Sequence, residues 1–239
     1  MITRLKKIYV KKQFNPGLIG IFINPFYFGR KGIYKKIKSY ATELNGKLLD
    51  FGCGSKPYRE LFSVSEYIGV DIEVSGHPHD NENIDFYYDG KTLPFKDNEF
   101  DSVFSSEVFE HIFNLDEIIN ELYRVLKPGG KILITVPLVW DEHEAPYDFG
   151  RYTSYGLSHL LETSGFKVEK IERTTKYVES IFQLLNLYIY RVFEKCGTVP
   201  GFFATILFTI PLNIFGLLLS AILPDRPQLY LNNVILARK

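Results

Sequence analysis

The sequence is poor in cysteine, with only Cys53 and Cys196 among its 239 residues. Two cysteines build no disulfide framework of the kind found in small secreted domains, and they fit a reducing cytoplasm. The first twelve residues have no apolar run followed by small residues, so no secretory signal is expected there. The chain also has no internal repeat or low-complexity tract, and its length suits a single domain with a buried core.

Net charge is also absent, because 28 Lys and Arg residues balance 28 Asp and Glu residues. The balance is uneven along the chain, since residues 1–47 contain eleven basic side chains and a single acidic one, Glu43. A basic arm on an acidic body indicates either a negatively charged partner or a solvated basic helix. The sequence favours neither interpretation.

Short apolar or β-branched runs alternate with helical periodicities through the middle of the chain. This alternation favours a parallel sheet that is covered on both faces. The predicted strands cover residues 47–51, 67–72, 85–88, 101–105, 131–137, 166–173 and 229–237. The predicted helices cover residues 31–46, 56–63, 115–125 and 154–164.

A glycine-rich turn follows the first predicted strand, in the segment Leu48-Leu49-Asp50-Phe51-Gly52-Cys53-Gly54. Two glycines let the backbone turn tightly against a ligand, and Asp50 can accept from a ligand amine or orient the turn. Asp71 ends the next strand 21 residues later, at the spacing where an acidic side chain binds ribose hydroxyls. A dinucleotide site would need a third glycine where Pro57 stands, so a ligand with a ribose and no phosphates fits better.

Three further segments follow this turn in order. They are Asp89–Phe95 after the third strand, Phe100–Ser106 leading into Glu107 and Glu110-His111, and Leu126–Lys131 before the fifth strand. Together with the glycine turn, they resemble the class I S-adenosylmethionine-dependent methyltransferases, in particular the small-molecule group called type 11. The resemblance covers about residues 46–173 and the terminal strand.

The resemblance implies a methyltransferase enzyme with a Rossmann-like α/β fold, whose seven-stranded sheet is mostly parallel with an antiparallel last strand. It implies S-adenosyl-L-methionine as the cofactor, bound over the carboxyl ends of strands one and two. The residues that it assigns to the cofactor are Asp50, Gly52 and Gly54 at the methionine part, Asp71 at the ribose, Asp89 at the adenine and Ser106 beside the methionine part.

A polar and aromatic loop, residues 141–152, follows strand five at the edge where substrates enter α/β sheets. An oxygen nucleophile needs a general base, and we expect His143 to supply it. His111, which follows strand four, is the second candidate for catalysis. Each histidine has a structural alternative, namely a loop hydrogen bond for His143 and a packing or capping role for His111.

The substrate residues expected in this loop are Tyr147, Arg151 and Tyr152, because many type 11 relatives have a similar Pro-(Tyr/His)-Asp-x-x-Arg-(Tyr/Phe) run. A structural ion pair between Asp148 and Arg151 is the favoured alternative for that pair. The run His77-Pro78-His79-Asp80 lacks a second ligand group at a recognised spacing, so we expect a solvated loop and no metal site. Enzymes that methylate amino groups of nucleic acids have an Asn/Asp-Pro-Pro-aromatic tetrapeptide after strand four. This sequence lacks that tetrapeptide, so no nucleic-acid partner is expected.

An apolar run separates strands six and seven, with no charged residue between Cys196 and Pro224. Residues 201–223 are long enough to cross a bilayer, which takes about 20 apolar residues. Because strand seven must return to the sheet of strand six, only an even number of crossings is possible. Pro211 and Asn213 divide the run into two short pieces, so we expect a hairpin that dips into one leaflet. The alternative is an apolar lid or a dimer interface.

The predicted organisation has four parts, which are a basic aromatic arm and helix at 1–45, a methyltransferase core at 46–176, an apolar helical insertion at 177–228 and a final core strand at 229–239. The leading interpretation is methyl transfer to a small or lipid-linked acceptor, with oxygen slightly preferred as the nucleophile. We expect a cytoplasmic protein that is peripheral or monotopic on the inner face of a membrane. The alternatives are a non-catalytic cofactor-binding or membrane-scaffolding protein of the same fold, and a nicotinamide oxidoreductase, which Pro57 disfavours. The sequence defines neither the acceptor nor the oligomeric state.

Overall fold

The computed structural model describes residues 13–73 and 83–239. The chain folds as two compact units. The helical unit contains the described residues up to Lys35 together with Arg173–Leu231, and the sheet unit contains Lys36–Glu172 with Asn232–Lys239. The predicted solvated loop at residues 77–80 lies outside the described residues.

The sheet unit is built on seven strands. They are β1 (Lys47–Phe51), β2 (Glu66–Ile72), β3 (Phe86–Tyr88), β4 (Phe100–Ser106), β5 (Leu126–Pro137), β6 (Lys167–Arg173) and β7 (Asn232–Arg238). The order across the sheet is β3-β2-β1-β4-β5-β7-β6. The first five strands pair in parallel, whereas β7 runs antiparallel to β5. The predicted Rossmann-like sheet with an antiparallel last strand is therefore confirmed.

Six helices occur in the described residues. They are α1 (Gly20–Ile23), α2 (Tyr27–Tyr40), α3 (Leu115–Val125), α4 (Ser154–Thr163), α5 (Tyr177–Phe193) and α6 (Thr198–Ile222). The helix predicted at residues 56–63 is wrong, since only a 3₁₀ turn at Arg59–Leu61 forms there. Lys56 has a φ of +54°, which lies outside the right-handed helical region, so the predicted helix does not begin at this residue.

The two helices of the sheet unit form because their apolar residues recur at helical spacing. In α3, five apolar side chains from Leu115 to Val125 are buried on one face, and acidic Asp116 and Glu117 lie in the first turn, where the helix dipole favours them. In α4, the Thr153 side chain caps the first turn by accepting from the Gly156 amide. These helices therefore cover the sheet with a continuous core.

The helical unit differs from the expected hairpin broken at Pro211. Helix α6 runs continuously for 25 residues through Pro211. Asn213 does not end the helix, because its side chain accepts from the Asn186 Nδ2 at 2.8 Å and donates to the Ile21 carbonyl at 2.9 Å. The prediction of two ten-residue pieces is therefore wrong, and the reversal of the chain lies between α5 and α6.

Helices α5 and α6 pack antiparallel to each other. The Phe193 and Phe208 rings stack with their centroids 5.4 Å apart at the turn, and the Lys176 Nζ donates to the Ser220 carbonyl at the opposite end. Gly201 is needed close to the turn, because a Cβ there would lie 2.4 Å from the Phe193 carbonyl oxygen. Within α6, Pro200–Ile222 is long and apolar enough to cross a membrane, with a mean hydropathy of 2.1 and 22% of its most apolar window buried.

We expect Asn213→Ala to destabilise the helical unit by about 1–3 kcal/mol, because the Asn186 amide and the Ile21 carbonyl would lose a buried partner. Urea unfolding followed by far-ultraviolet circular dichroism measures this change. The matched control is Leu218→Ala, which truncates an exposed side chain of the same helix and breaks no side-chain hydrogen bond. Equal midpoints for the two variants would contradict the role given to Asn213.

Candidate active site

A cleft of about 270 Å³ lies where the carboxyl ends of β1, β2 and β4 meet. This edge of a parallel sheet is the place where α/β proteins bind ligands, because the loops that leave the strands gather there. The residues that line the cleft are Gly52, Gly54, Asp71, Ile72, Tyr88, Gly90, Glu107, Val108, His111, Ile112, Phe113, Asn114, Glu144, Tyr147 and Phe149.

The glycine turn after β1 forms one wall of the cleft. Gly52 has a φ of +70°, and a Cβ at this position would lie 2.4 Å from the Val108 Cγ2. The Gly54 amide donates to the Asp71 Oδ2 at 2.8 Å, which ties the turn to the end of β2. Gly52, Gly54 and Asp71, which were assigned to the cofactor, therefore line the same cleft.

Asp50 lies below this wall rather than in it. Its carboxyl group is buried and accepts from the Tyr67 hydroxyl at 2.5 Å. Burial raises the pKa of Asp50 to about 7, although the Tyr67 hydrogen bond and the Lys56 charge act in the opposite direction. Asp50 therefore supports the base of the turn and can bind a proton near neutral pH.

Asp89 and Ser106 lie beside the cleft but are not among its lining residues. The exposed Asp89 Oδ1 accepts from the Lys91 amide at 2.9 Å and from the Thr92 amide at 2.8 Å, so this oxygen holds a turn. These hydrogen bonds lower the pKa of Asp89. The Ser106 hydroxyl is 2.8 Å from the Thr135 hydroxyl. Their roles at the cofactor stay predictions.

Glu107 lines the cleft next to Ser106, although the sequence patterns assign it no role. Its φ is +57°, which turns the side chain away from the direction it would have in a continued strand. Its Oε1 accepts from the Thr135 hydroxyl at 2.8 Å, and its Oε2 accepts from the Asn232 Nδ2 at 2.6 Å. A charged residue directly after a buried strand is the signal that could have identified it.

Two histidines from separate segments meet at the opposite wall. The rings of His111 and His143 pack edge to face with their centroids 4.8 Å apart. His111 lines the cleft, whereas His143 lies behind it. Burial lowers the pKa of His111, so its ring is neutral at pH 7. The structure therefore brings the two predicted catalytic residues together, and of the two only His111 lines the cleft.

The three predicted substrate residues occupy different environments. Tyr147 lines the cleft. Arg151 makes a bidentate ion pair with Asp148, with nitrogen–oxygen distances of 2.5 and 2.7 Å, as the structural alternative predicted. Burial acts to raise the pKa of Asp148, but the hydrogen bonds and charge of Arg151 outweigh it and lower the pKa to about 2. Tyr152 packs against the core, and its carbonyl accepts from the Asn233 Nδ2 at 2.7 Å.

The raised pKa of Asp50 predicts a pH-dependent stability. The unfolded carboxyl group loses its proton near pH 4, whereas the folded one keeps it until about pH 7. Between these values the folded state binds more protons, so the free energy of unfolding falls as the pH rises. Asp50→Asn removes this titration and keeps an oxygen that can accept from Tyr67.

We therefore expect the stability of Asp50→Asn relative to the natural protein to increase by an amount on the order of 2 kcal/mol between pH 5 and pH 8. Thermal unfolding at both pH values measures this difference. The control is Asp116→Asn, at an exposed position of α3. Its stability relative to the natural protein should be the same at both pH values. A pH-independent difference for Asp50→Asn would show that this carboxyl group titrates normally.

Comparisons with known proteins agree with this geometry. Residues 49–134 match the family model described as "Methyltransferase domain". A "Probable S-adenosylmethionine-dependent methyltransferase" of Mycolicibacterium smegmatis is 28% identical over 134 residues, which are 51% of this chain and 52% of that protein. The "Sterol 24-C-methyltransferase" of Yarrowia lipolytica is 32% identical over 124 residues, which are 46% of this chain and 32% of that protein. The chain thus spans about half or less of these relatives.

Among solved structures, a "SAM dependent methyltransferase from Archaeoglobus fulgidus" has the same fold. Its TM-score is 0.55 at 21% sequence identity, and the match covers 93% of this chain and 100% of that one. At this level of identity the likeness concerns the fold alone.

Proposed function

We propose that the protein transfers a methyl group from S-adenosyl-L-methionine to a small or lipid-linked acceptor, because residues 49–134 match a methyltransferase family model and a similar protein is named as a probable S-adenosylmethionine-dependent methyltransferase. The observation that carries the proposal is the meeting of Gly52, Gly54 and Asp71 in one cleft at the carboxyl ends of the strands. Ligands of α/β sheets bind at this edge.

The residues of the cleft fit this cofactor. Because Gly52 and Gly54 have no side chains, their backbone can approach the methionine part of the cofactor closely. The Asp50 carboxyl group lies beneath the same turn. Asp71 stands at the end of β2, where a carboxylate can accept from ribose hydroxyls while still holding the Gly54 amide, because its two oxygens offer about four acceptor sites. Ile72 and Tyr88 supply apolar walls for the adenine. Asp89 directly follows Tyr88 in the sequence, and it stays our candidate for binding the adenine.

Bound S-adenosylmethionine supplies an electrophilic methyl group on a sulfonium. The chain itself has to align the acceptor with that group and keep water away, which can contribute about 7–11 kcal/mol in favourable cases. His111, with His143 beside it, is the basic group at the cleft, so we assign this pair to activation of the acceptor oxygen. Tyr147 and Phe149 would contact the acceptor from the loop after β5.

Binding of S-adenosylhomocysteine tests the cofactor site. We expect Asp71→Ala to weaken binding by about 10–100-fold, because charge-assisted hydrogen bonds contribute about 1.5–3 kcal/mol. Isothermal titration calorimetry measures the affinity. The control is Glu162→Ala on the exposed surface of α4, which should bind like the natural protein. An unchanged affinity for Asp71→Ala, or no binding by the natural protein, would contradict the proposal.

We further propose that the helical unit contacts the inner face of a membrane. Helix α6 exposes large apolar side chains, among them Leu207 at 68% and Ile222 at 77% of their surface. Leu18 and Ile19 are exposed in the same unit, and the flanking sequence is rich in lysine and arginine, which suits anionic headgroups. A membrane location agrees with a lipid-linked acceptor, and one relative is named for a sterol.

Co-sedimentation with vesicles that contain phosphatidylglycerol tests the membrane contact. We expect the natural protein to bind, and Leu207→Glu with Phe215→Glu to reduce the bound fraction at least tenfold, since about 3 kcal/mol or more of apolar burial is lost. Tyr155→Glu, at an 84% exposed position in the sheet unit, is the control and should bind normally. If the natural protein is monodisperse without detergent and ignores these vesicles, the membrane proposal is wrong.

A further inference from the structure

The wall of the cleft near His111 buries a carboxyl group that lacks a hydrogen-bond partner. Glu110 lies in the 3₁₀ turn Phe109–His111 and has 0% of its surface exposed. Neither of its side-chain oxygens accepts or donates a hydrogen bond among the residues that the structure describes. Buried polar groups are almost always paired, because an unpaired one loses its hydrogen bonds to water without replacing them. The buried carboxyl group of Glu110 therefore indicates a partner that the described residues do not supply.

Two histidines complete a set of metal-binding atoms around this carboxyl group. One oxygen of Glu110 and one ring nitrogen each of His111 and His143 lie within 4.8 Å of one another. Two imidazoles and a carboxylate are a typical ligand set for a divalent transition metal, with bonds of about 2.0–2.2 Å. Side-chain rotations that move these atoms by roughly 1 Å would bring all three onto one ion.

The hydrogen bonds of both histidines favour metal binding. The His111 Nδ1 is 2.7 Å from the Tyr147 carbonyl oxygen, and the His143 Nδ1 is 3.2 Å from the Asp148 Oδ2 and 3.3 Å from the Asp141 carbonyl oxygen. Carbonyl and carboxylate oxygens only accept, so each Nδ1 carries the proton and each Nε2 keeps its lone pair. The His111 Nε2 lies 3.7 Å from the Glu110 Oε1. Metal-binding histidines are oriented by hydrogen bonds of this kind.

The surrounding charges allow a cation at this place. Arg151, whose charge acts on Glu110, is paired with Asp148 through both of its terminal nitrogens, so its charge is compensated. The Glu144 Oε2 lies 3.9 Å from the His111 Nε2 and adds a negative charge on the open side. A divalent ion would therefore neutralise Glu110 without adding to an uncompensated positive charge.

We propose that Glu110, His111 and His143 bind one divalent transition-metal ion, with Zn²⁺ as the best match to the ligand set. Because His111 lines the cleft, such an ion would have an open coordination position facing a bound acceptor. The use of this ion in catalysis rests on the proposed function. With both Nε2 atoms on the ion, the two histidines would activate the acceptor through the ion and not as a base, since a hydroxyl group bound to a metal ion loses its proton more easily. Metal binding itself can be tested without methyl transfer.

The experiment is a titration of the untagged, chelator-stripped full chain with Co²⁺, which reports tetrahedral or five-coordinate binding by its visible absorption, followed by competition with Zn²⁺. We expect one ion per chain, displaced by Zn²⁺. Glu110→Gln, His111→Gln and His143→Gln should each weaken binding at least tenfold. The matched control is His159→Gln, on an exposed position of α4, which should bind like the natural protein.

The chain has two more histidines, His77 and His79, and their double replacement by Gln should also leave Co²⁺ binding unchanged. No binding by the natural protein, loss of binding only in this double variant, or unchanged binding in Glu110→Gln would each overturn the proposal. Circular dichroism and S-adenosylhomocysteine binding are measured on every variant, so that loss of folding is recognised. Retained S-adenosylhomocysteine binding without Co²⁺ binding in the natural protein refutes the metal site alone, and the reverse result refutes the proposed function alone.

Discussion

The candidate site depends on the hydrogen bond between the Gly54 amide and the Asp71 carboxylate. Parallel pairing sets β1 beside β2, with Phe51 opposite Val70, so both strands deliver their carboxyl ends to one edge. The positive φ values of Gly52 and Gly54 then turn the chain back over that edge. The Asp71 carboxylate thereby fixes the turn and can still accept hydrogen bonds from a ligand.

Local sequence patterns predicted the sheet and the two helices that cover it, because their apolar periodicity is strong and their ends are marked. Helix α3 begins and ends at the predicted residues, and the Thr153 cap fixes the start of α4. The predictions were wrong where contacts between residues remote in sequence determine the local structure. Asn213 looked like a break in the apolar run, but its partners Asn186 and Ile21 are remote in sequence and keep it inside a continuous helix.

In the candidate site, too, local patterns predict some residues, whereas contacts between distant segments could not be predicted. Gly52, Gly54 and Asp71 could be identified from spacing, because a strand, a tight turn and a second strand fix their separation. Asp89 and Ser106 are not among the residues that line the cleft, and their side chains make hydrogen bonds within the protein, Asp89 with the Lys91 amide and Ser106 with the Thr135 hydroxyl. The meeting of His111 with His143 could not be anticipated, since the loop between β5 and α4 has no periodicity that defines its path.

The most direct test of the cofactor site is an experimental structure of the full chain with S-adenosylhomocysteine. We expect the ribose hydroxyls within hydrogen-bond distance of the Asp71 carboxylate, the adenine beside Tyr88 and the amino-acid part against Gly52 and Gly54. Electron density for the ligand at another surface, or a cleft that stays closed to it at saturating concentration, would contradict the proposed methyltransferase function.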